Sequence, residues 1–360
     1  MKVGIGLTIL LCSLILSGCE KVNAPELPEP IVEPFFISGA DLSMLPQIEA
    51  AGTVLFNADS LSEPMLTTLK EAGVNTVRLR LWKDPTSPGH DFASVKYFSQ
   101  RLKSEGFKVW LTVHYSDTWA DPGSQQMPQK WKSLPDMHSL LDSVYAYSST
   151  IAKEMKPDYI QIGNEINNGF LHNFGNRYTN PGNFRQLLDT AASAIREFSP
   201  ASKIILHYAG IFTAAEFYQV VKTVDYDIIG LSYYPMWHGK PVDTLSTIIS
   251  SLNATFQKPV VIAETSYPFT LGWNDYTNNI VGLANQLHDG YPATPDGQYQ
   301  FLKKVFSEVR ASTGGIGVCY WGGEWVSFRG PTATDGSSYE NQAFYDFEFK
   351  ALPVIKAFGE

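Results

Sequence analysis

Too little cysteine is present for a disulfide framework. The 360 residues hold three, at positions 12, 19 and 319. The first two fall in a segment expected to be processed, so Cys319 has no partner within the folded chain. It lies in the apolar run GIGVCYW, where a buried inert thiol is expected rather than a nucleophile. Charge is scarce too, at 18%, and its balance is a formal −9. That sign argues against nucleic acid or another polyanion as partner. No repeat of fixed period is visible, and no linker follows residue 34. No GxGxxG follows the first apolar run, which counts against a doubly wound dinucleotide-binding sheet. With 44% hydrophobic residues the chain has enough apolar material for a large core.

The N-terminus holds a single basic residue, Lys2, and an apolar run from Val3 to Leu16, too short to cross a bilayer comfortably. It ends in Leu16-Ser17-Gly18-Cys19 and resembles the lipobox of bacterial lipoproteins. The expected organisation is a signal peptide over 1–18, a Pro- and acid-rich tether over 19–34 with lipid on Cys19, and one folded domain over 35–360. An exported, lipid-anchored monomer is expected, held at the outer membrane and, for a polymeric substrate, on the outer cell face.

Beyond the tether, short apolar runs alternate with amphipathic stretches. The runs are 35–41 (FFISGAD), 74–82, 107–115, 159–165, 203–209, 227–234, 259–265 and 315–321. Each suits a buried parallel strand. Between them, 62–73 (SEPMLTTLKEAG) reads as a helix with a Ser cap and a terminal Gly, and 183–198 as a longer one. Eight such units predict an α/β fold, a single (β/α)8 TIM barrel. The runs close on chemistry-bearing residues: Asp41, Arg80, His114, Asn164-Glu165, His207, Tyr233-Tyr234, Glu264 and Trp321. Barrel active sites form at those strand ends.

Glu165 closes the fourth run in IGNE and Glu264 the seventh in IAET. Glycoside hydrolysis needs two carboxylates flanking the scissile bond, one a proton donor and one ionised. Either glutamate alone reads as a cap or a salt bridge; the pair, with Asn164 beside it, reads as catalytic. The pair resembles the retaining (β/α)8 glycosidases. Longer strings resemble glycoside hydrolase family 53, the endo-β-1,4-galactanases: GADLS (39–43), GVNTVRLRLWKDP (73–85), HYSDTWADPGSQ (114–125), IQIGNEINNG (160–169), IGLSYYPMWHG (229–239) and ETSYPFT (264–270). The resemblance implies Glu165 as acid/base, Glu264 as nucleophile and a neutral β-1,4-galactan as substrate.

Other residues are expected to serve that pair. Arg80 or Arg78 would pair with Glu264, and Tyr233 or Tyr234 would hydrogen-bond it. Asn164, His114 and His207 would contact sugar hydroxyls. Asp117 with Trp119, Trp237 with His238, and Trp321 with Trp325 would supply flat rings and polar forks from the loops. No cofactor is required by this reading. Bacterial members often hold calcium after the seventh strand; here that stretch offers Asp275 and Asn278, with Asp335 or Asp346 as further oxygens, in an unfamiliar spacing. Two readings compete with a galactanase: a non-catalytic surface glycan-binding lipoprotein, and a glycanase of the same clan with another neutral substrate. A metal-dependent amidohydrolase would want HxH where this chain has GAD.

Overall fold

The computed structural model describes Met1, Gly4, residues 35–239 and residues 241–360. The chain divides into two units, Met1–Phe35 and Phe36–Glu360, and the second carries every strand and helix among the described residues. Cys19, its signal segment and the tether lie outside the described residues.

Eight parallel strands close a barrel in chain order: β1 (Ile37–Asp41), β2 (Thr76–Leu81), β3 (Lys108–Val113), β4 (Tyr159–Ile162), β5 (Lys203–Ala209), β6 (Ile228–Ser232), β7 (Val260–Thr265) and β8 (Gly315–Tyr320), with β8 paired to β1. The strands are covered on both faces, which is why their sequences run nearly continuously apolar. Amphipathic helices form the outer ring. Helix Pro181–Phe198, for instance, buries Phe184, Leu187, Leu188, Ala191 and Ile195 at helical spacing. The helix expected from Ser62 instead starts at Met65, after Pro64, with no side-chain cap. Ser62 is held extended in a bridge to Phe56. Gly73 does end that helix region, at a φ of 103° that disfavours other residues.

Strand side chains alternate between the two faces, so the barrel interior can be read in layers. Its floor is an apolar cluster that includes Ile37, Trp110, Tyr159, Ile205, Ile228, Val261 and Cys319, distinct from the larger cluster between strands and helices. Burial pushes the Cys319 thiol well up, leaving it protonated. Two residues further along β3, β4 and β5 come Thr112, Gln161 and His207, all buried. The Arg78 guanidinium lies 5.6 Å above the Trp110 ring, between floor and mouth. The interior thus turns polar toward the C-terminal strand ends. At the end of β7 the register slips against both β6 and β8. Such a bulge re-aims a side chain, and here that side chain is Glu264.

Candidate active site

Two carboxylates meet at the barrel mouth. Glu165 and Glu264 each bring an oxygen to within 4.8 Å of the other and of a His207 ring nitrogen. Three such groups can hold a metal ion. His207, however, has both ring nitrogens engaged, Nδ1 with Gln161 at 3.0 Å and Nε2 with Ser232 at 2.9 Å.

Glu264 is buried and doubly bonded. Its Oε1 accepts from Arg78 Nη2 at 2.8 Å and its Oε2 from the Tyr234 hydroxyl at 3.0 Å. Burial pushes its pKa up, and the Arg78 charge and both hydrogen bonds oppose that. Arg78 also reaches Asp41 Oδ2 at 3.1 Å and Asn164 Oδ1 at 2.9 Å. Burial works against the Arg78 charge, but Glu264 and Asp41 outweigh it and hold the guanidinium protonated. Of the two arginines that the sequence could not rank, the deeper one therefore serves Glu264. Arg80 stands a layer higher, bonds His90 Nε2 at 2.8 Å and lies 3.8 Å from the Trp119 ring centre. Of the two tyrosines, Tyr234 reaches the carboxylate; Tyr233 faces away and stacks on Phe301 at 6.4 Å. Successive residues of an extended chain point to opposite sides.

Glu165 has different company. Only Ser232 donates to it, to Oε1 at 2.5 Å, and no cation is within bonding range among the described residues. Burial and then the Glu264 charge push its pKa up to about 8. Its backbone is left-handed, with φ of 46°, and follows Gly163 at 73°. A Cβ at Gly163 would stand 2.4 Å from Ile166 Cγ2, so that turn needs glycine.

A cavity of about 410 Å³ opens over the pair. Asp41, Arg80, His114, Trp119, Asn164, Trp237, His238 and Trp321 all line it. His114 and His238 each accept a backbone N–H on Nδ1, from Ala120 and Tyr234. Burial lowers both rings' pKa, that of His238 to about 4, so both are neutral forks.

Three expected contacts lie elsewhere. Asp117 caps Asp84 and Gln129 backbone amides, tying two loops together. Trp325 lines the adjoining cavity beyond Trp119. His207 is fully buried one layer below the mouth. Asn164 gives its Nδ2 to the Ala120 carbonyl at 2.9 Å and so frames the site as well as lining it. The sequence reading missed Tyr339, Asp121, Ser232 and Gln161. Tyr339 lines the cavity and packs against Trp321 at 4.5 Å, from a loop that no strand end announces. Ser232 and Gln161 could have been found by strand parity.

The expected calcium oxygens are dispersed. Asp335 pairs with Arg329, and Asp346 accepts the Glu348 and Lys350 amides. Asp275 is buried beside Glu340, and each keeps one buried carboxylate oxygen without a partner among the described residues. That pair has the chemistry a hard cation takes.

The sequence profile of Glycosyl hydrolase family 53 matches residues 37–358. The arabinogalactan endo-beta-1,4-galactanase of Cellvibrio japonicus is 34% identical over 348 residues, 90% of either chain. Among solved structures, the family 53 catalytic domain of Ignisphaera aggregans superposes with a TM-score of 0.85 at 34% identity, covering 92% of this chain and 98% of that one. A fungal β-1,4-galactanase gives 0.77 at 28%, covering 89% and 98%.

Proposed function

The chain belongs to glycosyl hydrolase family 53, and from that premise we propose that it cleaves β-1,4-galactosidic bonds within galactan and arabinogalactan with retention of configuration. The observation that carries this is the carboxylate pair: close together, with unequal surroundings. Retaining glycosidases hold their carboxyl groups about 5–5.5 Å apart, leaving no room for a water between. Glu165, protonated at neutral pH, gives its proton to the glycosidic oxygen. Glu264, kept ionised by Arg78 and Tyr234, attacks the anomeric carbon and forms a glycosyl ester. Glu165, now a carboxylate, takes a proton from water, which attacks the same carbon and releases Glu264. A binding-only surface protein needs the aromatic walls but not this pair.

The cleft walls support a neutral polymer: Trp119, Trp237 and Trp321 offer flat faces, while His114, His238 and Asp41 offer polar forks. A β-1,4-galactan is bent where cellulose is straight, so a cleft shaped for it misplaces a straight chain and strands polar groups, at about 1–3 kcal/mol each. Calcium, where bound, would be held by Asp275 and Glu340 and would tie together the loops after β7 and β8. We also propose export as a monomer anchored through a lipid on Cys19; a Cys19→Ala form should leave the membrane fraction. The function is tested by product analysis on galactan beside cellulose, xylan and mannan. Galactan alone should be cut, and proton NMR should show the β-anomer first. An α-anomer would rule out retention, and equal rates on cellulose would remove the galactan assignment.

A further inference from the structure

Arginine can only donate hydrogen bonds, and this gives direction to a chain of side chains below the mouth. Arg78, bound to the nucleophile, also reaches Gln161 Oε1 at 3.3 Å. Gln161 therefore presents its amide nitrogen, which gives one hydrogen to the Gly163 carbonyl at 2.9 Å and turns the other to His207 Nδ1 at 3.0 Å. The Glu165 backbone N–H is aimed at the same Nδ1, at 3.4 Å. With Nδ1 accepting, the proton of the neutral ring sits on Nε2, 2.9 Å from Ser232 Oγ. Ser232 then has its own hydrogen free for Glu165 Oε1, at 2.5 Å. One contact could reverse the ring: Asn164 Oδ1, 3.2 Å from Nδ1. That oxygen already takes Arg78 at 2.9 Å and shares the second Gln161 hydrogen with Nδ1, at 3.1 Å.

We propose that Gln161, His207 and Ser232 are positioning residues: they form a one-way hydrogen-bond chain from the nucleophile's arginine to the acid/base, and it places the transferable proton of Glu165 on Oε2. A proton on Oε1 would collide with the one Ser232 already points there. Oε2 has no hydrogen-bond partner among the described residues, and Glu165 lines the cavity that receives substrate. The chain also serves the second half of the reaction, since the Ser232 hydrogen bond stabilises the carboxylate that must accept a proton from water. The inference rests on the proposed retaining reaction.

The charged and titratable groups facing Glu165 are Glu264 on β7, Arg78 on β2, Asp121 after β3, neutral His207 on β5, and the Tyr234 and Tyr339 phenols. Ser232→Ala changes none of them. Losing a hydrogen bond to the ionised form should raise the basic limb of kcat/KM by about one pH unit and lower kcat on galactan roughly tenfold, with KM unmoved. Ser232→Thr should restore both. An aryl galactoside whose leaving group needs no protonation should react at the wild-type rate in its first step. Gln161→Glu reverses the chain from afar: a carboxylate forces the His207 proton onto Nδ1, and Ser232 then turns toward Nε2. It should reproduce the Ser232→Ala profile, and the double variant should be no worse than either single one. An unmoved basic limb in Ser232→Ala, or equal slowing on the aryl galactoside, overturns the proposal. So does a folded Gln161→Glu protein with the wild-type profile. If Gln161→Glu does not fold, the Ser232→Ala and Ser232→Thr pair decides alone. Failure of the underlying reading is separate: it would show as a Glu165→Gln protein still active on galactan.

Discussion

Glu264 and Glu165 are the same residue type at the ends of facing strands, yet their surroundings differ in kind. Glu264 has a cation and a phenol on its two oxygens. Glu165 has one serine hydroxyl and a neighbouring negative charge. On the proposed mechanism, the acid and the nucleophile are thus distinguished by what β2 and β6 bring to them, not by the carboxylates. The largest test removes the two groups themselves. Glu165→Gln and Glu264→Gln should each fold and lose several orders of magnitude in turnover on galactan. An activated aryl galactoside should partly spare the first step of Glu165→Gln and spare nothing in Glu264→Gln; the opposite pattern would exchange their roles.

Arg78→Met attacks the difference at its source. Asp41 and Glu264 would be left buried and uncompensated, at a cost of about 3–5 kcal/mol in stability, readable by urea unfolding. Activity should fall with it, and Arg78→Lys, lacking the fork, should recover stability better than rate. Tyr234→Phe is milder. It removes one donor to the Glu264 carboxylate and should lower kcat about tenfold while raising the acidic limb of the pH profile. On the other side of the comparison, kcat/KM in the native protein should fall as pH rises through about 8, where Glu165 loses its proton. The folded protein holds that proton more tightly than the unfolded chain does. The contribution of Glu165 to stability should therefore decline between the ordinary carboxylate range, near 4.5, and about 8, against a rise up to about pH 6.5 from the buried neutral rings of His90, His114, His207 and His238. Glu165→Gln should remove that share, while Glu324, also pushed up to about 8 by burial, keeps its own; the difference between the two proteins' thermal melts across this window would show it. The smallest effect is expected where neither carboxylate is touched. Calcium at Asp275 and Glu340 should raise Tm by roughly 2–4 °C and leave both limbs of the profile in place.

The strand order and the carboxylate pair were legible because a barrel repeats one pattern eight times, and each apolar run ends on its polar residue. What escaped was depth and return. Arg78 and Arg80 share a face, and chain order puts Arg78 a layer lower, but alternation cannot say which of the two layers meets Glu264. His207 likewise looks like a mouth residue in KIILHYA but sits below it, turned to Gln161 and Ser232. Asp117 lies in a loop that reads as sugar-binding, yet its carboxylate is consumed by two backbone amides. Tyr339 was invisible because the segment after β8 folds back over the cleft, and nothing local in SSYENQ records where it returns.

The left-handed backbone at Glu165 has a consequence for any search through alternative sequences. Glutamate is a poor occupant of that conformation, at a cost on the order of 1–3 kcal/mol, and the desolvation of its carboxyl adds to the penalty. Glycine or asparagine there would be the choice of any procedure that rewards stability alone, and the resulting protein would melt later and still close around its polysaccharide. Libraries screened only for heat resistance should therefore enrich for silent binders at this position, and the native glutamate survives only when turnover is part of the screen.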